Sequence, residues 1–303
     1  MDVVTKCVNF CRKQGLNHRQ FKVFLDKLEA DYSDIPFYCS ARWLSCAKVL
    51  KIFFALINVI QLFMDMKLSP QPILQDKVWV SDLAFMTDIT GHLSDLNISL
   101  QGKDKLVSTL TNRIDSFQQQ ILLFKNQLSQ KKLDNFPSLQ SLNLDAIENL
   151  DEYQNALQQL YDEFASRYKE LENIKPELRI FMTPFSVRAE DAPSNFQIEL
   201  IKLQCDAILK DRYYHFNGNL ISFYKGVSQQ EYPKLHALAL RFVAMFGTTF
   251  VCEQMFSVMN LNKSKSRSCL SEASLEAILR IATAKSIVPN IGKLVAAKRS
   301  QKS

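Results

Sequence analysis

The sequence predicts a mainly α-helical protein, and three observations carry that prediction. Only 7 of 303 residues are glycine, against 9 prolines, and so few turn formers suit long helices better than a turn-rich β-sandwich. Leu106, Leu110, Ile114, Phe117, Ile121, Phe124 and Leu128 stand 4, 4, 3, 4, 3 and 4 residues apart, the stripe of a helix packed on neighbours. Leu150, Tyr153, Leu157, Leu160, Phe164, Tyr168 and Leu171 repeat the pattern at 3, 4, 3, 4, 4 and 3. Two such helices could form a coiled coil between chains or a bundle within one, and the bundle is the expectation.

Taken in order, Val4, Cys7, Val8 and Cys11 share one face of a first helix. A second is expected to begin at Asn17, with that side chain as its cap. Pro36 and its aromatic neighbours suit a short extended piece. Trp43 to Met66 reads as one strongly apolar helix ended by "LSPQP". "KVWVSDLAFMTDITGHLSDLNISLQ" is helical in period, with Gly91 as an interruption. After the two long stripes, "KPELRIFMTPFSVRAEDAPSN" at 175–195 alternates and carries three prolines, so a short strand or extended connection is expected there. Ile198, Ile201, Cys205 and Ile208 align on a further amphipathic helix. Pro233 opens the next in a position where its missing N–H costs nothing. Gly247 ends that helix, another follows in "TTFVCEQMFSVMN", and Ser271 caps the last one.

Composition bounds the function classes. A hydrophobic content of 47% and a charged content of 22% are those of a globular chain with a sizeable core. The formal charge of +6 permits nucleic acid as a partner without requiring it. Residues 260–303 hold nine Lys/Arg against two acids, so most of the positive excess sits in that stretch. Seven scattered cysteines form no zinc pattern and read as reduced thiols of an intracellular protein. "MDVVTKCVNF" is no secretory signal, and "IFFALINVI" is too short to span a bilayer. His18, His92, His215 and His236 form no triad-like grouping, and no nucleotide-binding loop occurs.

One stretch holds a chemical question: "FGTTFVCEQMFSVMNLNKSKSRSCL", residues 246–270, sets Glu253 among apolar residues before Lys263, Lys265 and Arg267. Together with "YPKLHALALRFVAMFG" before it and "SCLSEASLEAILRIATA" after it, it resembles the C-terminal dimerisation region of hAT-superfamily transposases. Tyr232, Pro233, Leu235, Glu253, Phe256, Ser257, Lys265, Arg267, Leu270 and Leu279 carry that resemblance in order. Upstream, Arg42, Trp43 and Ser45 match the family's Arg-Trp-x-Ser motif. "LAFMTDITGHLSDLNISLQGKDKLV" is similar to the helical insertion of general transcription factor II-I repeat domain-containing protein 2-like transposon-derived proteins.

The resemblance implies a helical insertion domain plus a C-terminal remnant of an RNase H-like core. Its divisions are an N-terminal segment at 1–37, the insertion at 38–230, the dimerisation region at 231–288 and a basic tail at 289–303. Family enzymes hold two divalent metals on three acids, because in-line phosphoryl chemistry needs both attacking and leaving oxygens clamped. Glu253 matches the third acid. Only 41 residues precede Arg42, and Asp2, Asp26, Asp31 and Asp34 lack the strand context of the other two. The expectation is therefore a catalytically inactive protein with no metal and no cofactor, in which Glu253 is an orphan acid. Glu253 also fits the first turn of a helix, where the macrodipole favours a carboxylate by ~0.3–1 kcal/mol. The two readings are compatible.

The retained property is then protein dimerisation, through the aromatic and aliphatic surface of Tyr232, Pro233, Leu235, Leu238, Phe242 and Phe256, expected to be exposed or covered by a second copy. Partners would be a second copy, a related hAT-derived chain, or DNA, with no membrane and no small-molecule substrate. The alternative is a nucleic-acid-binding regulator using Arg42, Trp43, Lys263, Lys265 and Arg267. Trp43 equally fits a ring packed between helices, and the basic stretch a solvated loop. The tail "AAKRSQKS" suits entry to the nucleus, with the cytoplasm as the alternative and secretion not expected. A decayed element fragment without a selected role stays open.

Overall fold

The computed structural model describes residues 1–37, 44–102, 105–142, 147–216, 218–245, 250–263 and 271–283. The described residues contain fifteen α-helices and no strand, so the mainly α expectation holds. They fall into two units, one of 1–100 with 106–245 and one of 101–105 with 246–303.

The first unit builds three cores in chain order. The first comes from α1 (Asp2–Arg12), α2 (Gly15–Lys27), α3 (Leu44–Ala55), α4 (Ile57–Met66) and the start of α5 (Lys77–Leu100). Val4, Cys7, Val8 and Cys11 are buried on the predicted face, and Phe21 meets Phe63 edge-on at 5.0 Å. Burial pushes the Cys7 thiol up to about 11 and the Cys11 thiol up to about 12, so neither is a ready thiolate at neutral pH. Asn17 does not cap α2. The helix starts two residues earlier, and the Asn17 amide donates to the Phe10 carbonyl at 3.3 Å, tying α2 to α1. The single helix expected over 43–66 is two, α3 and α4, bent by 72° at Leu56. No proline or glycine forces that break. Both halves are apolar on several sides, and the bend turns Leu50, Phe53, Ile60 and Phe63 into one core. Among the described residues no single helix is long and apolar enough to cross a membrane.

Asp34 closes this core over the chain that follows α2. Its carboxylate lies 3.5 Å from Arg12, 3.0 Å from His18 and 3.3 Å from Lys22. Burial acts to raise this carboxyl. Hydrogen bonds from His18 and the Ile35 N–H, with the charges of Arg12 and His18, outweigh it and hold the group below its usual range.

The second core joins α5, α6 (Val107–Ser129), α7 (Pro137–Gln140) and α8 (Leu150–Arg167). Gly91 does not interrupt α5, which runs through it with open space around that position. Ile114, Phe117, Ile121, Phe124 and Leu128 are buried as the stripe predicts. α8 packs along α6 in the same chain, with Phe117 and Phe164 at 5.3 Å, so the two stripes pair inside the chain. The second stripe ends at Tyr168, where α9 (Lys169–Met182) begins.

The third core holds α9, α10 (Gln197–Cys205), α11 (Ala207–His215), α12 (Leu220–Tyr224) and α13 (Pro233–Ala244). Of the stretch expected as a short strand or extended connection, 175–182 is instead the second half of α9, with Pro176 inside the helix, while 183–195 is a connection of turns. Ile174, Leu178 and Phe181 stand at i, i+4 and i+7. Burying that face outweighs the one ladder donor that proline lacks. In the second unit α14 (Phe250–Asn262) packs on α15 (Glu272–Thr283), and Leu279 is buried. The Ser271 hydroxyl accepts from the Ser274 N–H at 3.3 Å, the cap expected for α15.

Candidate dimerisation region

The "YPKL" stretch that marks this region is built around a buried carboxylate the motif does not contain. Pro233 stands at the first position of α13, its fixed φ suited to the helix start. The next two N–H groups still need acceptors. Glu199, projecting from α10, supplies them: its Oε2 accepts from Lys234 N–H at 2.9 Å and Leu235 N–H at 3.0 Å. Lys234 Nζ donates to the Asn195 carbonyl at 2.9 Å, pinning the approach to α10. Asp206 caps α11 in the same way, accepting from Ile208 and Leu209 N–H at 3.0 Å each.

The face of α13 turned inward carries Leu235, Leu238, Ala239 and Phe242. Phe242 lies 5.4 Å from Phe181, which stacks on Tyr224 at 5.1 Å. The Tyr224 hydroxyl donates to the Phe181 carbonyl at 3.0 Å, and burial pushes that phenol up. Tyr213 donates to the Met182 carbonyl at 2.6 Å. The end of α9 is thus received by two tyrosines instead of water.

This arrangement corrects the expected pairing surface. Tyr232, Leu235, Leu238 and Phe242 are buried in the chain's own third core and form no open face. Of the six residues expected there, Pro233 and Phe256 are exposed, Phe256 at 59%. The alignment of Ile198, Ile201, Cys205 and Ile208 is also reversed. They point outward, with Ile198 70% and Ile208 74% exposed, while Glu199, Leu200, Leu203 and Leu209 face the core. α13 leaves Leu240 and Val243 on its outer side, and in the second unit Met255, Leu261 and Ile281 are exposed.

Arg42, Trp43, Lys265 and Arg267 lie outside the described residues. Lys263 is exposed just beyond α14. Glu253 is the fourth residue of α14, and its side chain lies outside what is described. Among the described residues no group of three or more His, Cys, Asp or Glu side chains could hold a metal ion. Asp34 is committed to Arg12, His18 and Lys22. Glu199 and Asp206 were missed as organising groups. Proline at a helix start signals open N–H groups, but nothing local says which distant acid fills them.

Residues 1–129 match the model of the FAM200/GTF2IRD2 helical domain, and residues 203–283 match that of the hAT family C-terminal dimerisation region. The chain is 35% identical over 283 residues to general transcription factor II-I repeat domain-containing protein 2 of Bos taurus, covering 93% of this chain and 29% of the relative. The Mus musculus protein of that name is 33% identical over the same extent. The chain therefore spans less than a third of the length of these relatives. No solved structure matches it. By these matches the chain joins a FAM200/GTF2IRD2-like helical domain to an hAT family C-terminal dimerisation region.

Proposed function

We propose that the chain is a self-association module of a transposon-derived protein, inactive in strand cleavage, that pairs with a second copy or a related hAT-derived chain. The observation that carries this reading is the content of the matched dimerisation region. Residues 203–283 leave Ile208, Leu240, Met255, Phe256 and Ile281 exposed, and apolar side chains left in water favour association. In this reading 231–288 is the helical end of an RNase H-like core, after an N-terminal segment at 1–37 and an insertion at 38–230 and before a basic tail at 289–303. Pairing falls to outward residues such as Phe256, while Tyr232, Leu235, Leu238 and Phe242 serve folding. Inactivity is supported by the commitment of Asp34 to Arg12, His18 and Lys22, which leaves that carboxylate engaged within its own core.

Light scattering on the full chain tests the reading, with Met255→Glu/Phe256→Glu as the comparison. A dimer mass that falls to a monomer in the variant supports it, and a monomeric wild type up to about 100 μM removes it. Phe242→Asp is unsuited to this test, since it places a charge in a closed core. A metal-dependent nick lost in Glu253→Gln would overturn the inactivity.

The basic excess of 260–303 favours a second reading, a nuclear nucleic-acid-binding regulator using Arg42, Trp43, Lys263, Lys265 and Arg267. Affinity for duplex DNA that falls steeply with salt would support it, and no binding at about 50 mM salt would remove it.

A further inference from the structure

We propose that a groove between α2 and α4 docks an acidic amphipathic helix of a partner protein. This does not depend on self-association and concerns the other end of the sequence. The groove is a hollow of about 450 Å³ lined by Arg19, Val23, Phe24 and Lys27 of α2 with Met66 and Lys67 at the end of α4. Arg19, Val23 and Lys27 repeat every fourth residue, so they share one face of α2. Val23 is 55% and Met66 56% exposed, although each helix sends other apolar side chains into the first core. Leu16 and Leu62 are exposed further along the same two helices.

The walls carry one sign of charge. Arg19, Lys27 and Lys67 have no ion-pair partner among the described residues. Arg19 Nε donates to the Gly15 carbonyl at 3.3 Å, and Lys67 Nζ donates to the Gln20 amide oxygen. Lys67 Nζ also sits 5.7 Å from the Phe63 ring. The acids nearest in sequence do not line this hollow: Asp26 faces a separate one beyond Val23, and Asp65 lines neither. Cations without a carboxylate partner beside apolar side chains fit one class of occupant, a helix with apolar side chains four residues apart flanked by Asp or Glu. A nucleic-acid backbone would satisfy the cations and leave Val23 and Met66 in water. An all-apolar occupant would bury three unpaired charges. Met66, unbranched and polarisable, suits a surface that adapts to the side chain it receives.

The test uses the full chain and a fluorescein-labelled synthetic helix of about 14 residues, with Leu and Phe four apart and Glu at the flanks. The control peptide has Lys for every Glu. Fluorescence anisotropy should give saturable binding in the range of about 10–100 μM for the acidic peptide and none for the basic one. Arg19→Glu/Lys27→Glu should weaken it at least tenfold or so. The methyl resonance of Met66 in the unaltered protein should shift on titration, a readout that stands even if a variant fails to fold. The proposal is overturned if the acidic peptide does not saturate by about 1 mM, if both peptides bind alike, or if Met66 does not respond. It is also overturned if duplex DNA or anionic vesicles, but not the peptide, occupy the groove. A Met66→Glu variant that converts a dimer to a monomer would assign the groove to a second copy and likewise overturn it.

Discussion

Phe136-Pro137-Ser138-Leu139 and Tyr232-Pro233-Lys234-Leu235 begin two helices in the same way. In each an aromatic residue stands before the helix with similar backbone angles, φ −127° and −129°. Proline follows at the first position. A buried carboxylate from a distant helix then accepts the next two N–H groups: Asp88 of α5 takes Ser138 and Leu139 at 3.0 Å each, as Glu199 takes Lys234 and Leu235. A buried leucine completes both. The differences lie in what each start supports. α7 is a single turn that plugs the second core, while α13 runs 12 residues through the region matched by the hAT dimerisation model. Phe136 is wholly apolar, whereas Tyr232 keeps its hydroxyl 3.5 Å from Asp206, the cap of α11. The comparison teaches that the "YPKL" stretch of this chain meets a backbone requirement of the fold, through an acid 34 residues before its proline, with Tyr232 and Leu235 turned into the chain's own core.

The sharpest way to break the parallel is at the leucines. Leu139→Ala and Leu235→Ala should each cost about 2–5 kcal/mol in denaturant unfolding. A loss below about 1 kcal/mol at Leu139 alone would make α7 a passenger and end the likeness. Next come the acids. Asp88→Asn replaces one acceptor oxygen by a donor facing an N–H, and Glu199→Ala removes the oxygen that both N–H groups share; each should cost about 1–3 kcal/mol in thermal melts. If both variants melt with the wild type, distant capping is not what holds these starts.

The pH dependence separates the carboxylates further. Burial raises the Asp88 carboxyl above its ordinary 3.8, with the N–H groups of Leu139 and Ser138 pulling it partly back. Its native form therefore binds the proton more tightly than the unfolded chain, and its contribution falls as pH rises from 3.8 through the raised value. Asp34 is lowered from 3.8, so its contribution is present above that value and lost as pH falls through the lowered one. Melting curves across acid pH should show Asp88→Asn removing a decline with rising pH, and Asp34→Asn removing a loss on acidification. Same-signed changes would refute both assignments. The smallest effect belongs to Tyr232→Phe, below about 1 kcal/mol, because the long bond to Asp206 is all it removes.

Where the sequence could be read correctly, burial and periodicity agreed. The stripe Ile114, Phe117, Ile121, Phe124, Leu128 has one apolar face and one polar face, leaving a single way to pack. Reading failed where a segment was apolar on more than one side. Ile198, Ile201 and Cys205 make as good a stripe as Leu200 and Leu203, and the inward face is the one that also places Glu199 over the α13 terminus. Trp43 to Met66 carries neither proline nor glycine, so nothing local marks Leu56 as a corner. The candidate region was found by its motif residues, but the role of Tyr232, Leu235 and Phe242 was misjudged, because an apolar side chain in a motif looks the same whether it meets its own chain or another.

The three cores of the first unit succeed one another along the polypeptide, closing at Leu83, at about Phe164 and at about Met245. Each can therefore be completed on the ribosome before the next has been synthesised, and none waits for a strand partner from the far end of the chain. Synthesis itself hands the molecule its order of assembly.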